Sequence, residues 1–450
     1  MVISSVLRNP AMTDYLSSVQ DTERFLCDNQ IETSSGITWN RVPDGKPTHS
    51  FYHGSAGVLT FYLELYNSSA DSHHLQIASQ AGDELLHYIN EKAAAEAFIT
   101  IGIYSGWPSY VYVLNELYKA TSQEKFKQGA LTALSRMTAQ ATDIGSGIGW
   151  IEPVPFSDIT GITGEREVID LSVGAAGAGI MYLYAHRQGL SDDALPLAIK
   201  TADRLLEVAQ QTPDGLRWLM MTDMPFPFTA PNFAHGGAGV GYFLADLYRD
   251  TNNDAYLQAA LSAAEYVKTR IHERSKGFLV CHTEEQQPAS TFYLGVCHGP
   301  AGTGRLMHLL HMITKDDSWQ NWLIDNFEGL ISTGAPEERS KGLWNNYGQC
   351  CGDAGIGDYA LYLYAETKDE RYLAFAKRIA EHLVSTEHHS EDQSISWAQA
   401  EHRSRPDFTE RQTGYMQGAA GIGSFLLHLH SVTKGTPSRL AIPDSPFSYN

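Results

Sequence analysis

One pattern returns seven times along this chain: a Gly-x-x-Gly, or a close variant, followed by a run that is apolar nearly all round. The copies are HGSAGVLTFYLELY from His53, SGWPSYVYVLNELY from Ser105, VGAAGAGIMYLY from Val173, HGGAGVGYFLADLY from His235, CHGPAGTGRLMHLL from Cys297, CCGDAGIGDYALYLY from Cys350 and QGAAGIGSFLLHLH from Gln417. Their first glycines fall 52 to 68 residues apart, and only the second copy departs, with Ser109 at the second glycine position. Such self-similarity constrains the fold more than any local signal, because each repeat is a unit that cannot bury its apolar face alone.

Between these runs lie amphipathic stretches, among them TDYLSSVQDTERFL from Thr13, AYLQAALSAAEYVKTRI from Ala255 and RYLAFAKRIAEHLV from Arg371. A helix apolar on all sides is buried, and one with a polar face meets solvent, so each repeat reads as one inner and one outer helix. Seven near-equal units without a strongly polar cap repeat favour ring closure over an open solenoid. The expected fold is therefore all-α: a closed α/α toroid of seven inner and seven outer helices. The recurrent glycines suit inner helices crowding around one axis, since they remove side chains where backbones approach. Closure would aim every inner-helix N-terminus at one end, and their unpaired N–H groups and dipoles would make that end locally positive.

Short β-prone pieces recur as well: GITW ending at Trp39, GIGWI at Gly147–Ile151, GLRWL at Gly215–Leu219, GFLV at Gly277–Val280 and SISW ending at Trp397. They predict small hairpins at one end of the helical array. Two longer connections, the loop-like Asp143–Asp170 and Met221–Asn232 with Pro225, Pro227 and Pro231, should overhang the same end. A 450-residue chain ordinarily divides into two or three domains. A closed repeat instead makes residues 1–434 one domain and leaves 435–450 as a loosely packed tail.

Composition narrows the partners. The net charge of −20, from 52 acidic and 32 basic residues, argues against nucleic acid and anionic membranes, which want a basic surface. No run approaches the roughly 20 apolar residues of a membrane span, and MVISSVLRNPAMTDYL lacks the apolar core of a signal peptide. Five cysteines, odd in number and sparse, read as reduced thiols of a cytoplasmic protein, used for metal or catalysis rather than disulfides.

Three of the five open inner-helix motifs: Cys297 in the fifth repeat, Cys350 and Cys351 in the sixth. Closure would set those repeats side by side. Alone, each cysteine is most simply a small buried apolar residue; together they point to zinc, for which three protein ligands and an open position describe a catalytic site. His298, beside Cys297, could supply a fourth ligand. Zinc held by three thiolates is a weak Lewis acid toward water, yet it would deprotonate an arriving thiol and leave it nucleophilic. That favours alkyl transfer to sulfur over hydrolysis. His235, opening the fourth repeat, is a candidate neutral base or donor, with a capping role as the alternative. Asp170, four residues before Gly174, reads first as a cap. His53 reads as structural, and His428 and His430 as core or interface residues.

Taken together, AHGGAG at Ala234–Gly239, CHGPAG at Cys297–Gly302, QCCGDAG at Gln349–Gly355 and the seven Gly-x-x-Gly helices resemble the lanthionine cyclase (LanC-like) family, from about residue 50 to residue 432. The resemblance implies an α/α toroid around one zinc ion, and the addition of peptide cysteine thiols to dehydroalanine or dehydrobutyrine. It implies Cys297, Cys350 and Cys351 as the zinc ligands, His235 in proton transfer and Asp170 assisting it. It also implies a dehydrated precursor peptide as partner, with or without a leader, and a separate dehydratase or kinase/lyase. Two departures stand out. Many members have Cys-His-Gly where this chain has Cys350-Cys351-Gly352, and the three-cysteine members are familiar mostly as the cyclase half of fused synthetases, so the chain is either a free-standing cyclase or an isolated domain. Some members also have an arginine at the position of Tyr293 and a tyrosine at that of His298, which makes His298 a further candidate for proton transfer. The alternatives are glutathione addition to dehydroamino acids and a non-catalytic, zinc-stabilised scaffold for peptides or partner enzymes. A six-paired α/α-toroid glycosidase ranks last, because no acidic pair stands at the ring positions.

Overall fold

The seven apolar runs form helices, and each is enclosed by the rest of the chain. The computed structural model describes residues 15–155, 157, 161–224, 229–284, 290–339, 342–390, 393–436 and 438–447. Fourteen helices lie among them: α1 (Tyr15–Asp28), α2 (Ser55–Ser69), α3 (Ser72–Ala94), α4 (Trp107–Thr121), α5 (Glu124–Ala139), α6 (Ala175–Arg187), α7 (Ala194–Glu207), α8 (Gly237–Thr251), α9 (Asp254–Lys268), α10 (Pro300–Thr314), α11 (Asp317–Ile331), α12 (Asp353–Thr367), α13 (Glu370–Thr386) and α14 (Ala419–Lys434). The even-numbered helices are the inner ones, and the first eleven residues of each are buried throughout.

Every inner helix from α2 to α12 packs against the outer helix that follows it, while α14 packs against α1. Inner helices also touch in succession, and α14 touches α2. The array is thus a closed toroid. Short links enforce the pairing. After α2, α8, α10 and α12 the chain turns through one left-handed residue, Ala70, Asn252, Lys315 or Lys368, with φ of 54, 52, 58 and 56°. The next residue, Asp71, Asn253, Asp316 or Asp369, caps the following helix by accepting from a backbone N–H two residues on. Links this short leave only antiparallel neighbours.

The return connections carry the hairpins. All five β-prone pieces form the second strand of a two-stranded antiparallel hairpin. Four of them carry a buried tryptophan that clamps the preceding outer helix. Nε1–H of Trp39, Trp150, Trp218 and Trp397 donates to Leu26 O, Met137 O, Leu205 O and Leu383 O at 2.8–3.0 Å, each a carbonyl in the last turn, where the helix itself supplies no i+4 partner. The Asp143–Asp170 connection is more ordered than its loop-like composition suggests, since a second hairpin pairs Ile151–Pro153 with Glu165–Glu167. Of the three prolines in the other long connection, Pro225 and Pro227 lie outside the described residues.

The glycines act somewhat differently from the expected crowding around the axis. The first glycine of each motif, and the second in all but the Ser109 copy, admit the chain's own incoming segment: a Cβ on Gly106 would stand 1.6 Å from Thr100 O, and one on Gly421 1.7 Å from Tyr415 O. Contact between inner helices falls to a third glycine two residues on. There a Cβ on Gly179 would meet the Phe243 ring of α8 at 2.3 Å, and one on Gly357 the Phe425 ring of α14 at 2.2 Å.

Over the described residues 438–447 the C-terminal segment expected to be loosely packed is instead anchored. Residues 438–447 enter the bore of the toroid, where Asp444 is buried against Arg305 of α10 and Phe447 stacks on Tyr362 of α12 with ring centroids 4.3 Å apart. Composition hid this, because the segment is polar and proline-bearing and its partners come from distant repeats. Among the described residues no helix is long and apolar enough to cross a membrane.

His428 of α14 is fully buried, with Nδ1 2.9 Å from Asp358 of α12 and Nε2 3.1 Å from Glu64 of α2. Burial alone would lower its pKa, but the two carboxylates raise it from 6.5 to about 10. Its contribution to stability is therefore full below about pH 6.5 and is lost as the pH rises through about 10. His428→Gln should cost about 3–5 kcal/mol near neutral pH, as losing one partner of a buried ion pair does. The gap between parent and variant in chemical denaturation should narrow toward pH 10, and a constant gap would contradict the ion-pair account.

Candidate metal centre

The residues ahead of the inner helices are joined in a circuit of main-chain hydrogen bonds. Tyr52 N–H donates to Tyr104 O, Ile103 to Ser172, Ser172 to Ala234, Ala234 to Cys297, Cys297 to Cys350, Cys350 to Met416, and Met416 back to Tyr52, all at 2.8–3.1 Å. Except for Ile103, each member stands two residues before an N-cap glycine. The circuit surrounds a cavity of about 350 Å³ to which every repeat contributes, through Tyr52, Tyr104, Ser172, His235, Cys297, Cys350 and Met416 among others.

A local device brings the cysteines together. Phe292–Tyr293 pairs in parallel with Leu343–Trp344, so the connections leading to α10 and α12 run side by side. Gly295 then lies on the Cys350–Cys351 backbone, where a Cβ would come within 2.6 Å of Cys351 C. Sγ of Cys297 is 3.0 Å from that of Cys351, which is 3.6 Å from Sγ of Cys350, and all three residues are buried. The three sulfurs lie within 4.8 Å of one another, close enough to share one metal ion, and the 3.0 Å pair would have to open toward the roughly 3.8 Å of a tetrahedral site with Zn–S bonds of about 2.3 Å. The electrostatics of the cluster fit too. Hydrogen bonds from Cys297, Cys351 and Tyr52 hold the Cys350 thiol well below its ordinary range. Burial, together with the neighbouring sulfurs, pushes the Cys297 thiol well above it. A cation would relieve the repulsion that keeps the three from ionising together.

The structure brings the other sequence candidates to the same place. His235 lines the cavity, and its Nδ1 is 2.7 Å from Oδ2 of the buried Asp170. Burial would lower the His235 pKa; the Asp170 charge outweighs it and leaves the imidazole above its ordinary value. Asp170 also accepts from Val173 N–H at 2.8 Å, which closes a turn ahead of α6 rather than capping it: the N-cap is Gly174, with no side-chain cap hydrogen bond. His298 lies in the cavity wall, yet the three-sulfur cluster does not include it. Neither of its ring nitrogens has a hydrogen-bond partner among the described residues. Burial, with His282 and His235 nearby, holds its pKa well below the ordinary value, and burial brings that of His282 to about 3. Burial thus favours the neutral form of both rings.

Several lining residues carried no sequence signal. His282 stacks on Tyr293 with ring centroids 4.6 Å apart. Glu401 and His402 enter from the Ala398–Arg411 hairpin. His53, read as structural, is a clasp between the first and last repeats that also lines the cavity: Nε2 is 3.3 Å from Glu401 and Nδ1 2.9 Å from Gln412 Oε1. Burial would raise the Glu401 carboxyl, but the hydrogen bond and charge of His53 hold it at about 2. Only the shared place before an inner-helix glycine could have flagged His53.

A closed toroid with three thiols at its axial opening defines a narrow class of protein. The profile of the lanthionine synthetase C-like protein family matches residues 47–439, and the chain belongs to that family. Among solved structures it is similar to nisin cyclase, with a TM-score of 0.59 and 15% identity over 96% of this chain and 95% of that one. A D-mannose isomerase shares the architecture at a TM-score of 0.51 and 12% identity, over 95% of this chain and 100% of the other. No curated protein matches the sequence significantly.

Gly295→Ala tests how the cluster is assembled without removing a ligand. It should part Cys297 from the Cys350–Cys351 pair and cut zinc bound per chain well below that of the parent, with helicity retained. Unchanged zinc by elemental analysis would refute the role given to Gly295.

Proposed function

We propose that this protein is a zinc-dependent cyclase, joining a peptide cysteine to a dehydroalanine or dehydrobutyrine of the same peptide as a lanthionine or methyllanthionine thioether. The observation that carries this reading is the meeting, in one cavity, of three sulfurs, the His235–Asp170 pair and the neutral His298. Family membership and the fold shared with nisin cyclase support it. One zinc ion per chain, held by Cys297, Cys350 and Cys351, would supply the positive charge that keeps a substrate thiol deprotonated.

The chain's own groups account for the remaining steps. Asp170 accepts the Nδ1 proton of His235 and so fixes the tautomer, making Nε2 the nitrogen that exchanges protons with substrate. The sulfur attacks the β-carbon, a C–S bond forms, and the π pair of the double bond moves toward the carbonyl as an enolate. His235 Nε2 takes up the proton lost by the thiol and returns one to the α-carbon, which completes the addition of S and H across the double bond with no redox change. His298, in the cavity wall, would donate to the enolate oxygen. Val173, Met220, Met224, Phe233, Val296 and Met416 give the cavity an apolar wall, which strengthens these polar contacts by excluding water. Holding sulfur and alkene in one small space makes the addition an oriented intramolecular step. The partner is a dehydrated precursor peptide, whose alkenes come from a dehydratase or kinase/lyase activity.

Incubation of a dehydrated, cysteine-bearing peptide with the zinc-loaded protein, followed by a thiol-alkylating reagent, tests the reading by mass spectrometry. Free thiols should disappear while the peptide mass stays the same. His235→Asn should slow this by about a hundredfold or more, the scale of a lost general acid–base. Full alkylation after incubation with the parent protein would reject the cyclase reading for that peptide class.

A further inference from the structure

Beneath the reactive cavity the bore is filled by residues 438–447, and one carboxylate of that segment touches the cavity floor. Asp444 is 1% exposed. Its Oδ2 accepts from the Tyr104 hydroxyl at 2.5 Å and from Nη1 of Arg305, which also donates to Asp444 O at 3.2 Å. The Arg305 guanidinium in turn lies 5.1 Å from the centroid of the Phe233 ring. Tyr104 and Phe233 both line the cavity that holds the three cysteines, and the Tyr104 carbonyl belongs to the main-chain circuit around it.

The rest of the segment is anchored along its length. Leu440 N–H donates to Glu64 Oε1 at 3.1 Å, and the Tyr242 hydroxyl reaches Pro443 O at 3.5 Å. Ile442 and Pro443 line a small gap together with Phe51, Tyr104 and Tyr112. Phe447 packs on Tyr362, Tyr359 and His308. A buried ion pair is a weak source of stability, because apolar residues of similar volume can do as well. It does fix geometry: Arg305 and the Tyr104 hydroxyl each have one direction to point while Asp444 is in place.

We propose that residues 438–447 form an internal plug, with Asp444 as a positioning residue that holds Tyr104, and through Arg305 also Phe233, so that the reactive cavity has a single floor. The plug itself stands on geometry alone; its effect on catalysis rests on the cyclase reading above.

The test uses the full chain with Asp444→Ala and Asp444→Asn. After chelation, labelling by iodoacetamide is followed at each cysteine by mass spectrometry. Exposed Cys27 serves as the reference, and Cys281, buried outside the cavity, reports global opening. Asp444→Ala should speed labelling of Cys297, Cys350 and Cys351 relative to Cys27 by about tenfold, the scale of one lost charge-assisted hydrogen bond. Cys281 should not change. Asp444→Asn, which keeps an acceptor for Tyr104, should have a smaller effect. On a dehydrated peptide, kcat of the alanine variant should fall about tenfold with KM within about threefold, as for misplaced reacting groups. Unchanged cavity labelling, or an equal rise at Cys281, would overturn the proposal and leave the segment a mere staple. If the parent turns over no peptide, the cyclase reading fails while the labelling still decides the plug.

Discussion

Seven main-chain hydrogen bonds, closing on themselves from Tyr52 round to Met416, fix the end of the toroid where its inner helices begin. Each contributes on the order of 1 kcal/mol net, so their importance lies less in stability than in placement. A main-chain bond is indifferent to the side chain of the residue that makes it. The circuit therefore holds seven positions in space while leaving their chemistry open. In this chain those positions and their neighbours carry two tyrosines, three histidines, three cysteines and a methionine around one cavity. The glycines that follow are the price of the arrangement, since the incoming segment lies too close for any Cβ.

The electrostatics of the cavity follow from that placement. Helices α10 and α12 begin just beyond the cysteines, and helix N-termini favour negative charge. Three sulfurs there accumulate more charge than an uncompensated buried site tolerates, and Cys350 takes it while the Cys297 thiol is pushed up. The imidazoles of His282 and His298 are held neutral by burial, whereas His235 is tied to a carboxylate. One small space thus holds a sulfur cluster that could take a cation, an imidazole tied to a carboxylate and two imidazoles without one, and differences in burial and partner keep them distinct.

Much of this was legible in the sequence because the repeat writes it seven times. All-round apolarity identified the inner helices, and their number implied closure. Cys297, Cys350 and Cys351 stood at equivalent points of adjacent repeats, so proximity followed from the ring. Less legible was whatever depends on contacts between remote repeats. Glu401 meets His53 across the seam where the last repeat joins the first, and nothing near either residue marks the other. Asp444 sits in a segment whose composition suggests exposure, yet its partners Tyr104 and Arg305 come from the second and fifth repeats. The division of labour among the glycines also stayed hidden, since sequence shows where side chains are missing but not what takes their place.

The pairing of α1 with α14 has a consequence in time. During synthesis α1 emerges first, but the helix it packs against emerges after all the others. Its apolar face, with Val19, Phe25 and Leu26, must wait through the making of nearly four hundred residues, a situation that exposes nascent chains to misassembly. The segments bearing Cys297 and Cys350–Cys351, by contrast, are near neighbours in the chain and can meet while the structure is still an open arc. The sulfur cluster can thus form early, but the chamber around it is complete only when the final repeat arrives.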